Sequence, residues 1–417
     1  MKRYNDISVL TMIMISCVLL TSCSHFGNVN VSNVYDNALD IPENKEADQA
    51  PSVPLKDQLE IMTWWTGAGD EAGYKALLQL FKEKYPRISL FSSAVEGGAG
   101  LNARIVLGRR MDEGNPPDTF QANQKSIRAW AGKNKLSPLT ELYKQENWLN
   151  KFPKQVLNEL SMNGDIYAVP LDVHRTNVLW YNKKIFKELN LQVPETIEEL
   201  IETGTKIEKK GVTPLAYWTE SSLLTNVLLG TLGIDNYLKV NNGELDPYSE
   251  QIGTAFNHMA KLIELTDPVY QEQTWPEEAQ SFLNGSVAML LMGDWVKGNF
   301  DLQKDSFPAD GYGWLPFPGT KGAFVATIDA FGLTAEGNNQ ESTTQWLKFL
   351  GSSEGQDTFN PLKGSTPPRV DTDISKYDSY GQEAIRDFKE SLSHSHVLFK
   401  GLSGNLYELY QIAKKNK

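Results

Sequence analysis

Residues 59–85 read LEIMTWWTGAGDEAGYKALLQLFKEKY, a short apolar run, a glycine turn and then a helical repeat. The run Leu59 to Trp65 has the length and aromatic content of a buried strand. Gly67 and Gly69 permit a sharp turn. From Asp70 or Glu71 onward, Tyr74, Leu77, Leu78, Phe81 and Tyr85 recur with the period of an amphipathic helix, which Pro86 ends. Two indoles thus stand where a strand gives way to a helix N-terminus, an end with free N–H groups and partial positive charge. In open α/β sheets, ligands bind outside the carboxyl ends of strands. A flat ring beside a carboxylate suits a ligand with an apolar face and hydroxyls round its edge, such as a pyranose. Core packing is the competing reading, because alternation sends Trp64 and Trp65 to opposite faces of a strand. A nucleotide loop is disfavoured: the spacing Gly67-x-Gly69-x-x-x-Gly73 is not G-x-G-x-x-G, and no P-loop Lys-Ser/Thr follows. Asp70 and Glu71, adjacent at a helix start, read more simply as caps than as a catalytic pair.

The N-terminus sets the compartment. Lys2 and Arg3 precede an apolar run, Ile7 to Leu20, that is too short to span a bilayer, and Leu20-Thr21-Ser22-Cys23 closes the segment. This pattern resembles a bacterial lipoprotein signal, residues 1–23, in which Cys23 becomes the lipidated first residue; a plain secretory peptide is the competitor. The chain's two cysteines are Cys17 and Cys23, so the mature protein is expected to contain no disulfide and no thiol for catalysis or metal binding. Residues 24–56 are polar and aperiodic and read as a disordered tether, able to hold the folded body roughly 30 Å from the membrane.

The remaining residues suggest two domains. A formal charge of −12 with no Lys/Arg-rich face argues against nucleic-acid binding. After the first helix, Ile88 to Val95 reads as a second strand, Leu101 to Met111 as a helix, and the turn Asn115-Pro116-Pro117-Asp118 leads into a strand ending Gln121-Ala122-Asn123. Gln121 and Asn123 share a face, and their amides both donate and accept; turn capping is the plainer role. A polar cluster, Val173-His174-Arg175-Thr176-Asn177, runs into the strand Val178 to Asn182. Thr196 to Glu199 is a capping box. Pro214 to Trp218 reads as a strand, Tyr248 to Thr266 as a long helix, and Trp346 to Phe359 as another. In 279–300 an apolar strand, Val287 to Met292, gives way to Gly293-Asp294-Trp295, repeating the logic of the first stretch, with Trp275 just upstream. Asp329 sits alone within the apolar strand Phe324 to Leu333 and needs hydrogen bonds to be tolerated there, as a ligand contact or as a structural anchor. Lys363 to Arg369 reads as a rigid polar loop. Alternating elements without a repeat indicate α/β throughout.

Taken together, WWTGAGDE, NPPDTFQ, VPLDVHRTNVLWYN, TWPEEAQSFLNGSVAMLLMGDW, IDAFGL, KGSTPPR and SLSHS, in that order, resemble the carbohydrate-binding lipoproteins of bacterial ABC importers, and most of all the glucose/mannose-type solute-binding proteins. The resemblance implies an α/β, two-lobe periplasmic-binding-protein-like fold with hinge strands and an interlobe ligand cleft. The lobes would be residues 57–169 with 323–368, and 170–322 with 369–417. Matching positions place Trp64, Trp65, Asp70, Gln121, Asn123, Asn177, Trp275, Trp295, Asp329, Lys363 and His394 around the sugar. Asp70 stands where a Glu is usual, so Glu71 is an alternative, and His396 is an alternative to His394. Asn123 replaces the usual His or Lys. The resemblance further implies a monomeric, lipid-anchored, extracytoplasmic protein that binds a monosaccharide without a cofactor, is not an enzyme, and delivers its ligand to the membrane subunits of an ABC permease. A di- or oligosaccharide is the alternative ligand. A glycoside hydrolase, needing aromatics and two carboxylates, is the rival class; the sequence has neither G-x-S-x-G nor H-E-x-x-H, and its five histidines show no metal-ligand spacing.

Overall fold

The computed structural model describes residues 57–415 apart from 98–99, 306–307, 309, 400 and 403; the signal segment, Cys23 and the tether lie outside the described residues. Two sheets organise the chain. The larger begins with β1 (Gln58–Thr63), α1 (Ala68–Lys84), β2 (Ser89–Ala94), α2 (Leu101–Asp112), β3 (Thr119–Asn123) and α3 (Gln124–Gly132). β1 pairs in parallel with both β2 and β3, as strand–helix–strand crossovers require. The chain then enters β4 (Ala168–Arg175), and crosses within two residues to β5 (Val178–Asn182) of a second, four-stranded sheet. That sheet also contains β6 (Thr213–Tyr217), β7 (Val287–Leu291) and β8 (Tyr312–Pro316), in the order β8-β5-β7-β6. Between β6 and β8 come α4 (Trp275–Leu283) and α5 (Trp295–Leu302). The return strand β9 (Phe324–Thr334) runs antiparallel to both β3 and β4, which locks it into the large sheet. Helix α6 (Ser353–Lys363) and helix α7 (Ser379–Ser393) follow, and β10 (Val397–Leu398) pairs with the start of β9.

Each face of the large sheet has its own core. Leu59, Ile61, Trp65 and Phe331 point to one side, against α1 and α6. Met62, Phe120, Ala122 and Ala330 point to the other, against α2 and α3. The four-stranded sheet is covered by a third group that includes Trp180, Phe282 and Phe300. Among the described residues no helix is long and apolar enough to cross a membrane.

Two helical readings differ from the structure. The run Trp346 to Phe359 is not one helix: Ser352 has extended backbone (φ −73°, ψ 157°) and its Oγ accepts from Gly355 N, so it ends one helix and caps α6. Residues 220–241 form a long helix, kinked at Gly233, that the sequence analysis did not identify. Ten of its residues are buried, so its apolar positions do not form the single stripe that marks a surface helix. Lys363, read as part of a loop, is the last residue of α6, and Gly364 ends the helix in the left-handed region at φ 82°.

Candidate functional site

Strand register explains why polar side chains meet on one face of the large sheet. Asp329 on β9 stands directly opposite Asn123 on β3 and Asp172 on β4, and directly paired residues share a face. Gln121 lies two residues before Asn123, and His174 two beyond Asp172, so all five project to the same side. Gln121 Oε1 accepts from Thr63 Oγ1 at 2.5 Å and from Trp64 N at 3.2 Å, while its Nε2 donates to Asp329 Oδ2 at 3.0 Å. This fixes the amide orientation. Asp329 N in turn donates to Asp172 Oδ1 at 3.2 Å.

The second sheet contributes through the turn after β7. Asp294 Oδ1 lies 2.5 Å from His174 Nδ1, and its Oδ2 accepts from Arg175 N at 2.9 Å. The ring of Trp295 meets the imidazole edge-on at 5.5 Å, and Trp218 packs on Trp295 at 4.9 Å. From the other side, Lys363 Nζ donates to Asp70 Oδ1 at 2.5 Å, with Asp70 in the first turn of α1, where a carboxylate complements the helix dipole. The start of α1 rests directly on α5. A Cβ at Gly69 would lie 2.6 Å from the Gly298 Cα, so only glycine at both positions allows this approach.

The electrostatics follow from burial and crowding. Burial alone would depress the His174 pKa, but the carboxylates of Asp172 and Asp294 outweigh both burial and the Lys363 ammonium, raising it to about 10. The imidazole is therefore a cation at neutral pH. Burial and the neighbouring Asp172 push Asp329 up to about 7, against the pull of His174, Lys363 and Gln121. Burial pulls Lys363 down, and Asp70 and Asp172 more than restore it, so it stays charged. Asp172, His174 and Asp329 offer three atoms within 4.8 Å of one another, close enough for a metal ion. A protonated imidazole has no lone pair to give, and the Lys363 charge acts on both carboxylates, so the set suits hydroxyl groups better than a cation.

The structure brings together Gln121, Asp329, Lys363, Asp70 and Trp295 of the expected residues. Trp65 is elsewhere, 1% exposed, in the core among Phe359, Phe331 and Tyr74 at 4.5, 5.7 and 6.1 Å between ring centroids. Its neighbour Trp64, just past the end of β1, is half-buried with its ring against Gly100. Asn123 caps α3, accepting from Ser126 N at 3.0 Å. Asn177 is fully buried with its amide committed to Thr320, Ala323 and Val325, tying the exit from β4 to the start of β9. Trp275 is half-buried at the start of α4 against the apolar side of the second sheet. His394 is exposed at the end of α7, its Nδ1 against Glu390 O at 2.9 Å; the half-buried His396 stacks on it at 5.8 Å. Glu71 forms a surface pair with Lys75, leaving Asp70 as the acid that turns inward. Asp172, His174 and Asp294 were not among the residues expected at the site. The available signal was the pair Asp172-x-His174, two polar groups on one face of an otherwise apolar strand.

A family model described as bacterial extracellular solute-binding protein matches residues 64–357. An uncharacterized ABC transporter extracellular-binding protein of Pyrococcus horikoshii is 35% identical over 352 residues, covering 82% of this chain and 79% of that one. A probable sugar-binding periplasmic protein of Rhizobium meliloti is 29% identical, covering 86% and 90%. The xylose/arabinose-binding protein XacG of Haloferax volcanii is 27% identical, covering 83% and 77%. Among solved structures, a chitin oligosaccharide binding protein superimposes with a TM-score of 0.68 at 22% identity, over 82% of this chain and 88% of that one. A maltose-bound T. maritima protein does so with a TM-score of 0.68 at 19% identity, over 86% and 93%. These two share the fold.

Proposed function

We propose, from the premise that this chain belongs to the bacterial extracellular solute-binding protein family, that it encloses a glucose- or mannose-like monosaccharide between its two lobes for an ABC importer. The family and its sugar-binding relatives make it a solute-binding component of sugar transport rather than an enzyme. The proposed lobes are residues 57–169 with 323–368, and 170–322 with 369–417, the chain crossing within β4 and returning just before β9. Cys23 carries the lipid that anchors the monomer outside the cytoplasmic membrane, and the closed lobes dock on the permease.

One observation carries the ligand class. Acceptors and donors of the large sheet, Gln121, Asp329 and His174, meet Asp294 from the turn after β7 beside the indole of Trp295. An indole buries the C–H face of a sugar at about 25 cal/mol per Å2. Each hydrogen bond from a hydroxyl to a charged group adds about 1.5–3 kcal/mol. One stack and a few such bonds, less the ordering cost, give roughly −8 kcal/mol, a micromolar complex. In this reading Asp172, His174 and Asp294 join the ligand contacts, and Trp64, Trp65, Asn123, Asn177, Trp275 and His394 act on the sugar only through other residues. Binding from both sides favours the closed arrangement that the Gly69–Gly298 contact permits.

A di- or oligosaccharide is the second reading, favoured by the oligosaccharide and maltose named for the two similar structures. A thermal-shift screen of monosaccharides and oligosaccharides separates the two, because a ligand bound only by the folded state must raise the melting temperature. A shift with a hexose and none with longer sugars supports the proposal; the reverse supports the second reading. Release of nitrophenol from aryl glycosides would overturn both.

A further inference from the structure

The face of the large sheet opposite the polar cluster holds a cavity of about 210 Å3 between α2 and α3. Its floor is Met62 and Phe120, and the indoles of Trp64 and Trp130 flank it. Leu107 and the small side chains Ala103 and Ala129 leave the space open. Strand alternation sends the Gln121 side chain towards Asp329 and Phe120 into this cavity. Thr63 and Gln121 also line it, so the two sites share the strands between them.

Two cations stand at its rim, Arg104 from α2 and Lys133 just after α3. The Lys133 ammonium lies 4.8 Å from the centre of the Trp130 ring. Among the described residues neither cation has a carboxylate within ion-pair distance, although Arg110 on the same helix α2 pairs with Glu60 at 2.6 Å, and Arg128 on α3 with Glu159 at 4.0 Å. In a chain with a formal charge of −12, two cations facing an apolar hollow without an acid form a local reversal of sign. An apolar pocket with a few convergent polar groups is the form of a small-molecule site.

We propose that this cavity binds a small organic carboxylate, its ring or short chain against Trp64 and Phe120 and its carboxylate between Arg104 and Lys133. A guanidinium holds a carboxylate with two parallel hydrogen bonds, and partial enclosure by indoles strengthens the pairing. A neutral sugar leaves both cations unmatched. The occupant is a second ligand, bound independently of the sugar.

The test titrates the full chain with phenylacetate and hexanoate, and with their neutral counterparts benzyl alcohol and 1-hexanol, by calorimetry and tryptophan fluorescence. The expected result is saturable binding of at least one carboxylate, at least fivefold tighter than its neutral counterpart. The double variant Arg104→Gln/Lys133→Gln should weaken it at least tenfold while leaving sugar affinity within twofold. Both substitutions are at exposed positions, so the fold is retained. Equal binding of the alcohols, an unaffected double variant, no binding of either carboxylate, or displacement of the carboxylate by sugar would each overturn the proposal. The first three leave the proposed sugar site untouched, whereas the last would put the sugar in this cavity instead.

Discussion

Replacing Lys363 with methionine tests how the polar cluster is balanced. Lys363 is 2% exposed, and its ammonium sits 2.5 Å from Asp70 Oδ1, with Asp172 and Asp329 also within its electrostatic reach. Methionine fills the space of the side-chain stem, so little packing is lost. What is lost is the partner of a buried carboxylate. Breaking such a pair from one side costs about 3–5 kcal/mol, because the remaining charge stays desolvated. Asp329, already raised by its neighbour Asp172, would rise further without the ammonium. Urea denaturation monitored by tryptophan fluorescence should show a lowered midpoint at unchanged slope, the shift multiplied by the slope equalling that loss. The paired variant Asp70→Asn/Lys363→Met removes the orphaned charge and should recover at least half of the loss. A cost below about 1 kcal/mol for Lys363→Met, or a double variant less stable than the single one, would refute the electrostatic reasoning.

Trp65→Ala should cost about 3–5 kcal/mol in denaturation with little selective effect on ligand affinity, because the indole is a core residue; Trp295→Ala should do the reverse in calorimetry. Glu278, buried on α4, has its pKa raised by burial to about 8. The folded protein therefore holds a proton that the unfolded chain releases near pH 4.5, and stability should fall as pH rises through this window, by up to about 1.4 kcal/mol per pH unit. Glu278→Gln should flatten the profile when melting temperature is followed against pH. Gly298→Val should weaken sugar binding at least tenfold in calorimetry while costing less stability than Trp65→Ala. Its Cβ would lie 2.8 Å from the Gly69 Cα and 3.0 Å from the Leu362 and Lys363 carbonyl oxygens, forcing α1 and α5 apart.

The elements legible in the sequence were those with a strong local pattern. The strand–turn–helix of residues 59–85 was read to within three residues at each end, since Gly67, the Tyr74–Phe81 repeat and Pro86 all act locally. The break at Ser352 was legible as well, since no apolar residue lies between Leu350 and Phe359 and Gly351-Ser352 offers a stop followed by a cap, but the continuous-helix reading bridged it. The polar cluster was legible only in part. Asp329 is conspicuous as a charge in an apolar strand, but its neighbours Gln121 and Asp172 are 208 and 157 residues away, and their meeting depends on antiparallel register. His174 is set by Asp294, 120 residues further on. The tryptophan pair shows the opposite difficulty. Alternation put Trp64 and Trp65 on different faces, and only the packing of Phe331 and Phe359 shows which of the two is enclosed.

The most direct test of the central claim is calorimetric titration of the wild-type chain and Asp329→Asn with the sugars that raise its melting temperature. The expected result is micromolar or tighter binding of a sugar by the wild type, weakened at least tenfold in a variant that still folds. Equal affinity in the two proteins, or no sugar bound by either, would contradict it.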